Sequence, residues 1–370
     1  MLTRRAFAGR LGLAAAFSGA LPEVIYAQRA ALNFKTPKDT VWINANENPA
    51  GPPQASIQAM IEVLPTSGRY HYQEFPDFYA ALAHSEDLEP EQILAGSGST
   101  ESLHAAVEAF TSPTRPLITI TPTYEAPPEV TRASGHPVIT TPLTDRYTAD
   151  VRKLVAEADK AGGGLIYLCN PNNPTSTVTP KADIAWMISN LPPNTIALFD
   201  EAYIHFAETP DMESALSYVR QGKDVVVTRT FSKIYGMAGL RAGFAAAKPE
   251  LIRKMAPFRN NVISIVTAHA VLAAIADKNL VPARKATLVK TRAELCAWLK
   301  RNGYKFIEPQ ANFVMIDVGR DTRQFGREMA ENGVAVGRPF PPLDHMLRVS
   351  IGTDQDMAKF REVFARVYRA

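Results

Sequence analysis

Cysteine is scarce in this chain, which has two, Cys169 and Cys296, far apart in sequence. Neither lies in a metal-ligand spacing, so no zinc-finger or ribbon site is expected and no metal is assigned. One disulfide is arithmetically open but not implied, and buried free thiols are the plainer reading. An excess of one charge is also missing. The formal net charge is +3, and Lys and Arg are spread along the chain without a basic stripe. Nothing therefore points to nucleic acid as a partner. Internal repeats and low-complexity tracts are absent. Past the first residues, no apolar run is long enough to span a bilayer, so no membrane association is expected of the mature form. What is present is core material. Hydrophobic residues make up 46% of 370 positions, enough for a large buried core in roughly two domains.

The N-terminus stands apart. Thr3-Arg4-Arg5-Ala6-Phe7 precedes a short apolar stretch over 11–21. A basic head, an apolar run too short to cross a bilayer and a small-residue exit make a signal-peptide pattern. The adjacent arginines before Phe7 resemble the twin-arginine export signal. Cleavage after Ala27 is preferred, with Ala20 as the other exit, and the mature protein is expected to be exported or periplasmic. Without use of the signal it would be cytoplasmic.

From about residue 56 the chain alternates two patterns. Helix-period stretches cover 56–64, 75–84, 99–110, 181–191 and 360–368. Short β-rich runs cover 117–121, 165–169, 195–199 and 225–228, and they are nearly all apolar rather than alternating. Strands buried on both faces look like that, as a parallel sheet under helices requires. The expected class is α/β, with a mostly parallel sheet sandwiched by helices. Past about residue 257 the texture changes. Long helical stretches at 263–276 and 281–301 precede strand candidates at 312–318 and 347–351, which read as a smaller α+β domain. The expected organisation is a leader over 1–27, an extended arm over 28–55, a large domain over 56–256 and a small domain over 257–370.

In open α/β sheets, ligands sit beyond the carboxyl ends of the strands. Those ends are polar here. Gly96-Ser97-Gly98-Ser99-Thr100-Glu101 opens a helix, where glycines permit close approach and free N–H groups suit a phosphate. Alone it also fits an ordinary Ser-capped helix. Tyr124, after the 117–121 run, is either a ring for stacking on a planar ligand or a core residue. Asn170-Pro171-Asn172-Asn173-Pro174-Thr175 makes a turn that fixes side-chain amides. Asp200-Glu201-Ala202-Tyr203 places a carboxylate at the end of a buried strand, where it needs a cation or a helix to cap. Arg229-Thr230-Phe231-Ser232-Lys233 continues to Gly236, Gly239 and Arg241, and a lysine among glycines and hydroxyls is the sharpest signal in the chain.

Together, Asn44 to Pro49, Pro171-Asn172-Asn173-Pro174-Thr175, Asp200-Glu201-Ala202-Tyr203 and Thr230-Phe231-Ser232-Lys233 through Arg241 resemble the class I/II aminotransferases that use pyridoxal 5'-phosphate. The histidinol-phosphate aminotransferase group is the nearest branch, and the resemblance runs from about residue 44 to the C-terminus. It implies the fold type I of those enzymes and a role for each matching position. Lys233 would form the Schiff base and act as general base and acid. Asp200 would pair with the pyridinium nitrogen. Tyr203 and Asn173 would bond the ring oxygen, and Tyr124 would stack on the ring. Arg241, Ser232, Thr230, Ser99 and Thr100 would hold the phosphate. Arg348 would grip the substrate α-carboxylate, and Asn312 falls near a substrate position. Tyr70 would reach the neighbouring subunit's phosphate, which implies a homodimer. Substrates would be an amino acid and a 2-oxo acid.

Four positions depart from the pattern. Ser176 replaces a glycine, Thr100 an aspartate, and His71-Tyr72 a Pro-Asp pair at the substrate entrance. This entrance and the leader weaken the specific reading as histidine biosynthesis, which is cytosolic work. Transamination is the expected reaction. A decarboxylase, lyase or cyclase on the same scaffold is the alternative. A non-enzymatic sensor would need an attached DNA-binding domain, for which the leader and arm leave no room.

Overall fold

The protein is described by a computed structural model over residues 36–259 and 261–369. The expected leader and the start of the arm lie outside the described residues. Twelve short strands are named here in chain order among the described residues: β1 (Val41–Trp42), β2 (Ile93–Gly96), β3 (Leu117–Thr121), β4 (Val138–Pro142), β5 (Gly164–Cys169), β6 (Thr195–Asp200), β7 (Val225–Thr230), β8 (Gly243–Ala247), β9 (Phe306–Ile307), β10 (Phe313–Asp317), β11 (Val334–Ala335) and β12 (Met346–Ser350).

Seven of them form one sheet in the order β2-β8-β7-β6-β5-β3-β4. Strands β3 to β7 pair in parallel, and β8 runs antiparallel to both β7 and β2. Every residue of β5 and β6 is buried. Successive side chains point to opposite faces, so each strand feeds two cores. Leu165, Tyr167 and Cys169 join one cluster and Ile166 and Leu168 the other. That double burial explains the unbroken apolar runs and gives the expected α/β class.

Strand β8 did not announce itself. Gly-Phe-Ala-Ala-Ala has weak strand propensity, and it forms because neighbours on both sides supply a ladder. Its small side chains also matter. A Cβ on Gly243 would fall 2.3 Å from the Ser99 backbone nitrogen, so the helix Gly98–Phe110 starts directly against this strand.

The C-terminal helix spans Asp354–Arg369, starting earlier than its apolar periodicity predicts. Polar capping is the reason. Thr353 N–H donates to Asp356 Oδ2 at 2.8 Å, and Asp356 N–H donates to Thr353 Oγ1 at 3.1 Å. A second sheet, β12-β10-β9, is antiparallel, and its register sets Met315 beside Arg348. The arm enters through β1, which pairs in parallel with β11. The described residues from Thr36 on hold together as one unit, and the expected boundary at 256/257 falls in the turn Ala256–Phe258. Both cysteines are buried and free. Among the described residues no single helix is long and apolar enough to cross a membrane.

Candidate active site

Three parallel strands bring their carboxyl ends together. The registers pair Cys169 with Asp200 and Asp200 with Thr228. Asp200 is 2% exposed. Its hydrogen bonds come from neutral donors: Ala202 N–H at 3.2 Å, Tyr167 Oη at 3.4 Å and Thr228 Oγ1 at 3.4 Å. Burial pushes its carboxyl up to about 6, against those bonds and the pull of Lys233. Among the described residues no Lys or Arg forms an ion pair with Asp200. Three residues later, Tyr203 is buried and packs edge-on against Phe313, ring centroids 5.0 Å apart.

Lys233 follows β7 on its own loop. Its Nζ donates to the Ala45 carbonyl at 3.1 Å and lies 5.7 Å from the Tyr203 ring centroid. The arm thus lies over the strand ends. Tyr124 is half-buried against the core cluster that holds Tyr167, Cys169 and Tyr203.

Asn173 is held at the site by its turn. Asn172 Nδ2 donates to the Pro122 carbonyl at 3.2 Å, which ties that turn to the end of β3. Asn173 Oδ1 then accepts from Arg348 Nη1 at 2.7 Å, while Arg348 Nη2 donates to the Asn44 carbonyl at 2.7 Å. The guanidinium is therefore oriented by two acceptors from different parts of the chain. It also lies over the rings of Phe313 and Phe340, at 5.6 and 4.6 Å. Arg338 covers the same Phe340 at 4.3 Å and forms an ion pair with Glu125.

A second cluster surrounds the start of helix Gly98–Phe110. Arg241 Nη1 donates to Ser232 Oγ at 3.3 Å, and Thr230 Oγ1 donates to Ser232 Oγ at 2.9 Å. A Cβ on Gly98 would fall 2.3 Å from Arg241 Nη2, so only glycine lets the helix start meet this guanidinium. Ser99 is buried there and Thr100 half-buried. Glu101 turns back to accept the Ser97 N–H at 2.6 Å.

Two expected site residues sit differently. Tyr70 is 66% exposed and stacks on Tyr72 at 5.2 Å. Asn312 is buried, and its Nδ2 donates to the Asn46 carbonyl at 3.0 Å. Its amide nitrogen is thus spent on the arm.

Ser176, the residue in place of glycine, holds φ at 63°, in the left-handed region. Its Oγ accepts the Gln310 and Ala311 N–H groups at 3.1 and 2.8 Å. The hydroxyl thereby joins the Asn173 turn to the strand that carries Phe313. Ser176→Ala leaves a buried N–H unpaired and is expected to cost about 1–3 kcal/mol. A urea midpoint equal to that of the parent would refute this.

The donors suit a phosphorylated, cationic ring. Among the described residues the buried Asp200 carboxylate has no ion-pair partner, and Arg241, two hydroxyls and a helix N-terminus gather beside Gly98 as donors for an anion. The pair defines a class: enzymes that hold a pyridine-ring phosphate at the edge of a parallel sheet. The chain belongs to the aminotransferase class I and II family, whose model matches residues 38–364. It is therefore a pyridoxal-phosphate-dependent transaminase. It is 32% identical over 345 residues to a histidinol-phosphate aminotransferase of Moorella thermoacetica, covering 90% of this chain and 85% of that protein. It is 30% identical over 336 residues to an aromatic amino acid aminotransferase of Cutibacterium acnes, covering 90% and 94%. Its structure is similar to that of a histidinol-phosphate aminotransferase from Sinorhizobium meliloti in complex with pyridoxal-5'-phosphate, with TM-score 0.84 and 25% identity over 96% of each chain.

Proposed function

We propose that this chain moves the amino group of an L-amino acid or amine bearing an aromatic or imidazole ring to a 2-oxo acid. The carrying observation is the Arg348 guanidinium, seated on Asn173 and Asn44 beside Phe313 and Phe340. Relatives named for histidinol phosphate and for aromatic amino acids support the same choice.

Pyridoxal phosphate, when bound, supplies an electron-poor ring that accepts the pair left by a broken Cα bond. Asp200 would hold the positive charge of that ring, and Tyr203 and Asn173 would bond its oxygen. Tyr124 would stack on the ring. Arg241, Ser232, Thr230, Ser99 and Thr100 would hold the phosphate. Lys233 Nζ takes the proton from the substrate Cα and returns it. Arg348 would fork onto the α-carboxylate, or onto the phosphate of an amine that carries one in its place, and so direct the Cα–H bond toward Lys233. A carboxylate held by a fixed arginine is not set up to leave, which favours transamination over decarboxylation.

Each amino donor alone, mixed with loaded enzyme, should discharge the visible absorption band of the cofactor. Phenylalanine, tyrosine or histidinol phosphate should exceed aspartate in kcat/KM by about tenfold or more. No change with any donor overturns the reading. We also propose a homodimer, since the exposed Tyr70 is free to reach a partner's phosphate, and export through the 1–27 leader. A monomer in sedimentation, or full-length protein confined to the cytosol, would end these two proposals.

A further inference from the structure

Asn46 is 1% exposed although it lies in the arm, and it holds φ at 56°. Its polar groups are satisfied by three different elements. Its N–H donates to Ser350 Oγ at 2.8 Å, and Ser350 Oγ donates to Asn46 Oδ1 at 3.0 Å. Asn46 Nδ2 donates to Tyr203 Oη at 3.2 Å. Its carbonyl accepts from Asn312.

The order of these bonds carries information. Ser350 has one hydroxyl proton, and its oxygen already accepts the Asn46 N–H. In the structure that proton is given to Asn46 Oδ1. The amide can then turn only one end toward Tyr203, the NH2 end, which donates and cannot accept. Tyr203 Oη is the acceptor in this contact, so the phenol's own proton points elsewhere.

We propose that Asn46 and Ser350 are positioning residues that turn the Tyr203 hydroxyl outward, as a proton donor to the cofactor's ring oxygen. This rests on the cofactor seat argued above, between Asp200 and Lys233. Had Ser350 lacked its hydroxyl, the Asn46 amide would be free to rotate. Its oxygen would then face Tyr203 and draw the phenol's proton back into the protein. The groups around Tyr203 do not compete for that proton in the same way. Arg348 and Lys233 are donors, Phe313 is apolar, burial keeps the Cys169 thiol protonated, and Asp200 already accepts from Ala202, Tyr167 and Thr228. Burial pushes the Tyr203 ionisation well up, so the hydroxyl stays protonated.

A donor at the ring oxygen draws electron density from the neighbouring nitrogen. It lowers the pH at which Lys233 Nζ, once joined to the cofactor, gives up its proton. The test is a pH titration of the visible absorption of the loaded enzyme without substrate. Asn46→Ala and Ser350→Ala are each expected to raise the midpoint by about 0.5 to 1 pH unit. In a Tyr203→Phe background, neither should add a further shift. Two results overturn the inference. In one, Tyr203→Phe moves the midpoint while the other two leave it in place. In the other, the two shifts are as large without the hydroxyl as with it. If Tyr203→Phe itself moves nothing, the seat beside Tyr203 fails and the inference falls with it. Should Asn46→Ala loosen the arm and unfold, Ser350→Ala carries the same test by removing a single oxygen.

Discussion

Lys233→Ala is expected to lower turnover by at least about 10^3-fold, because one amine both joins the cofactor and moves the Cα proton. Its position makes the loss specific. Lys233 Nζ reaches over the Tyr203 ring and bonds the Ala45 carbonyl, a contact that any water can replace. Folding should therefore be little changed, within about 1 kcal/mol by urea denaturation. The visible absorption of the lysine-bound cofactor should disappear. Lys233→Arg keeps the charge but not a group that deprotonates, so it should fare no better. Residual turnover within tenfold of the parent would remove Lys233 from the mechanism and return it to the role of an ordinary loop lysine.

Asp200→Asn carries the second large effect, and stability and activity should move in opposite directions. Burial raises the Asp200 carboxyl from 3.8 to about 6. The folded, cofactor-free protein then holds a proton that the unfolded chain has lost between these values. Stability contributed by this group is fully present below about 4 and falls as pH rises toward 6. Above 6 the buried anion costs about 2–3 kcal/mol. Asn removes that penalty. The cofactor-free variant should be more stable than the parent at pH 7 and flatter between pH 4 and 6, as thermal denaturation would show. Turnover should nevertheless fall by about 10^2-fold or more, since nothing holds the charge of the ring. A variant less stable than the parent at pH 7 would mean that Asp200 is stabilised by a cation in the folded protein.

Much of the fold was legible because its signals are local. The runs around Leu165 and Ile196 read as buried strands since both of their faces need apolar residues, whichever helices cover them. The strand β8 was not legible, because Ala245 and Ala246 favour no strand on their own and depend on β7 and β2. The start of the last helix was hidden in a polar capping pair, which apolar periodicity does not register.

For the site, residue identity was enough where chemistry demands one side chain. An amine, a buried carboxylate and an arginine beside glycines at strand ends announce themselves through Lys233, Asp200 and Arg241. Partnership was not legible. Arg348 meets Asn173 across 175 positions, and Asn46 meets Ser350 across 304. No spacing rule reaches that far. The sequence therefore determined which groups this protein owns and the class of sheet that carries them. Only the tertiary structure decided which acceptor orients each donor, because a hydrogen bond depends on a few tenths of an ångström that folding alone sets.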